Sequence, residues 1–290
     1  MTALRVEGLG KRYGRGTWAL RECTFDLPQG RIIGLVGANG AGKTTLLHLA
    51  IGLLSPTEGS VFLFGRPLRM DRPAGLAEVG FVAQDHPLYR GFTVADLLHF
   101  GRSMNRRFDE TTARKRLAEL GIPLDRRAGR LSGGQQAQVA LTLALAKQPR
   151  LLVLDEPAAS LDPLARREFM STLMGAVADS ELTVLLSSHA IGELERVCDH
   201  LVLLRKGRMC LAGDTDELVA GHRVLSGPRP DANAAMQGLV AATHGPRQSH
   251  LLVRQPVTVP VHPHWEANPV SLEELVLAYL AQPETKEGRD

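Results

Sequence analysis

Cysteine is scarce in this chain. Its 290 residues hold three, Cys23, Cys198 and Cys210, far apart and with no Cys-x-x-Cys pair. That excludes a disulfide framework and a cysteine-built zinc site, and it fits a reducing cytosol. No apolar run approaches the ~18–20 residues that a membrane span requires, and the opening MTALRVEGLG is not a charged-then-apolar leader. Any membrane association is therefore expected to come through a partner. Net charge is also small: 34 Lys and Arg face 31 Asp and Glu, a formal +3, which gives no reason to expect nucleic acid. There is no internal repeat. What remains is 44% hydrophobic and 22% charged residues, the composition of a soluble globular protein with a sizeable core. The length suits one large domain, or a main domain with a small appendage.

The first third reads as strands at Thr2 to Leu9, Arg21 to Leu27 and Arg31 to Val36, the last a continuous apolar run as in a buried parallel strand. A glycine-rich loop and an apolar helix from Thr44 to Leu54 follow, the opening of an α/β unit. From about 88 to 147 the pattern is helical, an inserted subdomain with helices at Val94 to Phe100, Thr111 to Leu120 and Ser132 to Ala146. Leu151 to Leu154, Thr183 to Leu186 and Leu201 to Leu204 are further strands, and Asp162-Pro163 caps and starts a helix to Ala178. The order predicts a mostly parallel sheet covered on both faces. Past residue 221 the texture changes to a proline- and histidine-rich α+β appendage, 222–290. It has strand-like pieces at Leu251 to Arg254 and Val257 to Val261, and a capping box at Ser271 that opens a helix to Leu280. A frayed tail is expected at its end.

Gly37-Ala38-Asn39-Gly40-Ala41-Gly42-Lys43-Thr44 matches G-x-x-x-x-G-K-[ST] between a predicted strand and a predicted helix. Glycines let successive backbone N–H groups turn in around a polyphosphate, and the helix presents its positive end to the same anion. Lys43 is placed to reach the β- and γ-phosphates, and the Thr44 hydroxyl to ligate Mg²⁺. In Leu151-Leu152-Val153-Leu154-Asp155-Glu156, two acids leave the carboxyl end of a buried strand, the edge where α/β sheets bind ligands. Asp155 is the candidate for Mg²⁺ and Glu156 for the attacking water. Taken alone, such a pair is as often a plain polar loop; the phosphate loop beside it favours chemistry.

Leu131-Ser132-Gly133-Gly134-Gln135-Gln136 is a second helix start rich in N–H donors. With it the sequence resembles the ATP-binding subunit of an ABC (ATP-binding cassette) transporter over roughly residues 2–220. In that family this signature faces the γ-phosphate held by the opposing subunit, so the resemblance implies two cassettes, identical or different, closing head to tail on two nucleotides. It also implies roles for single residues. Tyr13 stacks on adenine, Gly37, Asn39, Gly40, Gly42, Lys43, Thr44 and Thr45 hold the phosphates, and Ser132, Gly133, Gly134 and Gln135 hold the phosphate of the partner cassette. Gln84 meets Mg²⁺ and water, and Asp162 lies in the loop that crosses to the other subunit. His189, in Ser-Ser-His, contacts the γ-phosphate; a lone histidine after a strand is otherwise usually structural. His262-Pro263-His264 has no third or fourth ligand at sensible spacing and is read as a surface loop.

The chain departs from the family at Ala137-Gln138-Val139, where most relatives carry an arginine near 138, and at Ala158, where threonine or serine is common. The implied fold is a P-loop ATPase core (1–221) with an N-terminal β-subdomain, the helical insert and the appendage. The implied function is an ATPase at the cytoplasmic face of the membrane, using ATP and Mg²⁺ to drive a separately encoded membrane subunit. The end of the cassette, Leu-Ala-Gly-Asp-Thr-Asp-Glu-Leu, with the short last helix is similar to bacterial antibiotic-exporter ATPases, which points to export of a drug, antibiotic or lipid-like solute. Import of a small nutrient is the alternative. A soluble, non-transport ABC ATPase is a less favoured alternative. Relatives acting on ribosomes usually carry two cassettes on one chain, where this one has a single phosphate loop and signature. Those acting on DNA insert long coiled coils, where only about 87 residues separate Gly42 from Gly129.

Overall fold

A computed structural model describes residues 1–14, 16–69, 73–178, 180–228, 238–245, 248–254 and 265–282. β1 (Thr2–Arg12) and β2 (Trp18–Pro28) pair antiparallel, with Leu4, Val6, Leu20 and Leu27 turned inward. β3 (Ile32–Val36) is buried at every position. A loop leads into α1 (Lys43–Ala50), and β4 (Glu58–Leu63) with β5 (Arg66–Pro67) completes an antiparallel sheet of order β2-β1-β4-β5. β6 (Val79–Val82) precedes the three helices α2 (Val94–Met104), α3 (Glu110–Glu119) and α4 (Gly133–Ala146). Then come β7 (Leu151–Asp155), α5 (Pro163–Ala178), β8 (Thr183–Ser188), α6 (Ile191–Leu194), β9 (His200–Arg205) and β10 (Arg208–Asp214).

The central sheet has the order β10-β9-β3-β8-β7-β6, parallel throughout except that β10 runs antiparallel to β9. Period-two alternation sorts its side chains onto two cores. Ile33, Leu35, Leu151 and Val153 face α1 and the antiparallel sheet, whereas Ile32, Val36, Leu152 and Leu154 pack with Phe169 and Leu173 of α5 and Leu141 of α4. A third cluster, among them Val94, Leu98, Leu117 and Val139, holds the helical insert together. Each such side chain, fully buried, contributes about 1.5–3 kcal/mol, which fixes the strand ends and hence the loops that emerge from them.

After α7 (Thr215–Ala220) the chain forms β11 (His222–Gly227), β12 (Leu239–His244), β13 (Ser249–Arg254) and β14 (Glu266–Asn268), an antiparallel sheet of order β12-β13-β11-β14, and closes with α8 (Leu272–Ala281). Leu272, Leu275, Val276 and Tyr279 of α8 join the core cluster of Leu194, Leu201 and Leu203, so this helix completes a face of the main core.

The first predicted helix stops earlier than expected, at Ala50 instead of Leu54, because Gly52 turns left-handed (φ 70°) just past its end. Strands β4, β5, β6, β10, β11, β12 and β14 and helices α6 and α7 were not expected. Glu58–Leu63 has three exposed residues before its first buried one, which hides its period. Val257 to Val261, His262, His264 and the tail beyond Gln282 lie outside the described residues.

Candidate nucleotide site

The loop after β3 is packed against backbone on two sides. A Cβ on Gly37 would stand 2.5 Å from the Leu204 carbonyl oxygen, and one on Gly42, where φ is 102°, would stand 2.5 Å from that of Ala19. Only glycine fits either place, so the loop's N–H groups stay bare of side chains. Gly42 is also the N-cap of α1, a helix start with no capping side chain. That leaves the first-turn donors and the helix dipole turned on the loop, the arrangement that binds anions.

Lys43 is 94% buried, being 6% exposed. Its Nζ donates to the Gly37 carbonyl at 2.8 Å and sits 3.1 Å from Glu156 Oε1. The other carboxylate oxygen, Oε2, lies 3.1 Å from Nδ1 of His189, whose ring is exposed. Glu156 itself takes φ 43°, an unusual conformation for a residue with a side chain, and its N–H donates to Ser187 Oγ at 2.8 Å. Burial pushes the Glu156 carboxyl up, but the hydrogen bond and charge of Lys43, helped by His189, outweigh this and hold it below its ordinary value. It is therefore a carboxylate at neutral pH.

Asp155 is buried at the end of β7 and accepts a hydrogen bond from Ser187 Oγ at 2.8 Å. Ser187 thus orients both acids, donating to one side chain and accepting from the next backbone N–H. The sequence reading passed over it, although it stands in the Ser-Ser-His segment already singled out. Asn39, Gly40, Gly42, Lys43, Thr44, Thr45, Gln84, Glu156 and His189 line a single open cleft of about 840 Å³. Tyr13, half exposed, sits at its rim with its hydroxyl 3.5 Å from Thr45 Oγ1.

The signature residues are elsewhere. Ser132 caps α4 in a reciprocal box: its Oγ accepts from Gln135 N at 3.2 Å, and Gln135 Oε1 accepts from Ser132 N at 3.1 Å. Neither they nor Gly133 and Gly134 line the cleft. Asp162 is exposed and caps α5, with Oδ1 accepting from Leu164 and Ala165 N–H groups at 3.0 Å each. Among the described residues no three His, Cys, Asp or Glu side chains gather to hold a metal ion. A hard cation here would share its oxygen ligands with a phosphate, as Mg²⁺ commonly does. The exposed Thr44 hydroxyl, Gln84 and the Asp155 carboxylate are oxygen donors that suit that role. Among the described residues no helix is long and apolar enough to cross a membrane.

A family profile described as "ABC transporter" matches residues 20–159. The sulfate/thiosulfate import ATP-binding protein CysA 1 of Rhizobium meliloti is 39% identical over 225 residues, covering 74% of this chain and 64% of that protein, just under two thirds of its length. The Nod factor export ATP-binding protein I of Bradyrhizobium diazoefficiens is 35% identical over 225 residues, covering 76% of this chain and 73% of that protein. CbiO1 of Clostridium perfringens, part of the ABC transporter complex cbiONQ, has a solved structure that aligns with a TM-score of 0.65 at 31% identity, over 76% of this chain and 91% of that one. The phosphate loop, the Asp-Glu strand end and the signature helix thus stand in a chain that belongs to the ABC transporter family, in its ATP-binding, ATP-hydrolysing class of subunit.

Proposed function

We propose that this chain powers an exporter of a drug, antibiotic or lipid-like solute. It binds Mg-ATP in the cleft of Lys43, closes head to tail on a second cassette, and transmits that closure to a separately encoded membrane subunit at the cytoplasmic face of the membrane. The observation that carries the ATP-driven part of this reading is the arrangement of Lys43, Glu156 and His189 around one cleft whose loop admits no side chain at Gly37 or Gly42. The export direction rests instead on the likeness of the cassette's end to antibiotic-exporter ATPases. In it, Lys43, Asn39, Gly40, Thr44 and Thr45 hold the phosphates and Tyr13 stands at the adenine end. Glu156 takes the proton of the attacking water, and His189 and Gln84 orient the γ-phosphate and that water. Thr44, Gln84 and Asp155 would hold Mg²⁺, which when bound would supply charge neutralisation at the phosphate oxygens. Because Ser132 to Gln135 and Asp162 lie outside the chain's own cleft, they are available to a second cassette. The family resemblance puts them against its nucleotide.

A route to the membrane subunit is supported by the segment around Gln84. Gln84 lines the nucleotide cleft, while its neighbours Ala83 and His86 line a separate groove of about 500 Å³ between the core and the helical insert. Tyr89 and Phe100, which line that groove, and Phe92 next to them are exposed rings that pack on one another with centroids 5.2 to 6.4 Å apart. An exposed aromatic cluster of this kind marks an interaction surface, here one suited to the membrane subunit.

The name of the sulfate/thiosulfate relative favours a second reading, import. Everted membrane vesicles holding this chain and its membrane subunit decide between the two. ATP-driven accumulation of solute inside such vesicles supports export, and ATP-driven loss supports import.

A further inference from the structure

Arg166 and Glu193 connect two loops of the proposed reaction that lie 27 residues apart in the chain. Arg166 stands in the first turn of α5, and its backbone N–H donates to the Asp162 carbonyl at 2.9 Å. Glu193 stands on α6, one turn beyond His189. Arg166 Nη1 donates to Glu193 Oε1 at 2.8 Å, and Nη2 donates to the Leu161 carbonyl at 3.4 Å. One guanidinium therefore holds both the end of the loop that follows Glu156 and the helix that follows His189. Together with Glu156, Pro157, His189 and Ala190, the pair lines a narrow cavity between the two loops.

A surface ion pair is usually worth little, about 0–1 kcal/mol. This one differs in its setting. Each side chain is only 34% exposed, and Nε of Arg166 is buried without a hydrogen-bond partner among the described residues, so the pair is partly withdrawn from solvent. The helix it grips is also fixed from the opposite side. Leu272 N at the start of α8 donates to Glu195 Oε1 at 3.3 Å, and Ile191 and Leu194 are buried in the same cluster as Leu272 and Leu275. α6 is thus held on one side by Arg166 and on the other by α8.

We infer that Arg166 and Glu193 are positioning residues for ATP hydrolysis. They keep the Glu156 loop and the His189 loop in one register, so that both side chains meet the same phosphate, and they act through those residues without touching nucleotide. The inference rests on the assignment of Glu156 and His189 made above.

The test uses the full-length chain with four variants: Arg166→Ala, Glu193→Ala, Glu193→Gln and the charge-swapped pair Arg166→Glu with Glu193→Arg. Steady-state hydrolysis gives kcat, and titration with a fluorescent ATP analogue gives nucleotide Kd. Both alanine variants should lose about tenfold in kcat while Kd moves by less than about twofold, since the cleft's own ligands are untouched. Glu193→Gln, which still accepts a hydrogen bond from Arg166, should fall between wild type and Glu193→Ala. The swapped pair should recover at least about half of the lost rate, a coupling that independent structural effects do not produce. Wild-type kcat in both alanine variants, or a swapped pair no better than the worse single variant, overturns the inference. Should an alanine variant fail to bind nucleotide at all, Glu193→Gln and the swapped pair decide on the same criteria. Glu156→Gln assayed in parallel separates the two levels. If it turns over normally, the assignment of the base fails. If it is inactive while Arg166→Ala is fully active, only the positioning pair fails.

Discussion

Glu156 and Lys43 neutralise each other at 3.1 Å, although the proposed reaction needs them for different partners. In the proposed reaction the lysine meets phosphate and the carboxylate takes a proton from water. While Lys43 pairs with Glu156 it holds the carboxyl low, which makes a weak base. A triphosphate in the loop competes for the lysine with more negative charge than one carboxylate carries. On that proposal, binding the substrate would release the base and raise its proton affinity, so that activation would follow occupancy without any separate switch.

Replacing that base is the direct test. Glu156→Gln keeps the shape of the side chain and removes its charge, so nucleotide affinity should be retained or improved. Turnover should fall by about two to three orders of magnitude, within the range that a positioned general base contributes. With hydrolysis blocked, Mg-ATP should shift the variant to a dimer on size-exclusion chromatography. Full steady-state activity in Glu156→Gln removes Glu156 from the role of base.

The same pair sets an acid limit on stability. A carboxyl whose folded-state pKa lies below its ordinary 4.5 stabilises the fold above that value and loses this contribution as pH falls through the lowered one. Thermal melts of wild type and Glu156→Gln should therefore differ most at about pH 6 and converge below about pH 4. At neutral pH the Gln variant should melt lower, because Lys43 stays buried without its counter-charge. A Tm difference that is flat across this window shows that the pair contributes nothing to the fold.

How much of this was visible beforehand depends on whether the partners are near in sequence. Asn39 to Thr45 form one loop and helix start, so the phosphate-binding side of the cleft could be read as a contiguous motif. So could the acids at 155 and 156, because a run of four apolar residues places them at a strand end. The capping of α5 by Asp162 and of α8 by Ser271 followed from local chemistry as well. Hidden from the sequence were the contacts that only tertiary structure makes: Glu156 on Lys43, Ser187 between the two acids, and Arg166 on Glu193. The sheet β12-β13-β11-β14 was equally obscure, since His222–Gly227 pairs with Ser249–Arg254 across a distant stretch of chain. Antiparallel pairing of this kind leaves little local trace beyond weak alternation.

Gln138 is 5% exposed on α4, with neither amide atom hydrogen-bonded among the described residues. A buried amide without partners costs about 1–3 kcal/mol. Gln138→Met has nearly the same volume and no polar atom to satisfy, so it should raise Tm by about 2–4 °C, the shift expected of ~1 kcal/mol in a chain of this size. Nucleotide affinity should not change, since Gln138 does not line the cleft. A lower Tm means that this amide is satisfied in solution by a group such as bound water.

Gly42→Ala should fail at the site and in the fold together. The new methyl would stand 2.5 Å from the Ala19 carbonyl oxygen and 2.7 Å from Leu20 Cδ2, at φ 102°. The loop must move to admit it, which turns its N–H donors away from phosphate. Nucleotide binding should be lost in a fluorescence titration, and the chain should melt lower. Gly133→Ala makes the comparison, because a Cβ there has nothing within 4 Å. It should leave binding to the chain's own cleft intact, and equal loss in both variants argues against a steric cause at Gly42.

Within the appendage, His222 makes a pH-dependent tie between β11 and α8. His222 is 1% exposed; Nδ1 faces the Leu218 carbonyl at 2.7 Å and must donate to it, so Nε2 accepts from the Tyr279 hydroxyl at 3.0 Å. That is the neutral ring. Burial lowers its pKa below the ordinary 6.5, the Leu218 hydrogen bond opposes this, and the nearby charge of Arg254 lowers it further. For a base with a lowered folded-state pKa, the unfolded chain binds the proton first. Stability is then whole above 6.5 and falls as pH drops through the interval below it. His86 and His200, also lowered by burial, add slopes of the same sign, so the wild-type slope alone does not single out His222. The comparison is with His222→Asn, which cannot titrate. Between about pH 7.5 and about pH 5.5 the wild type should lose more Tm than the variant does. Hydrogen exchange at α8 should rise over the same interval in the wild type, because Tyr279 is the residue that loses its acceptor. Equal slopes in the two proteins mean that the ring is already protonated in the fold or that α8 holds without it.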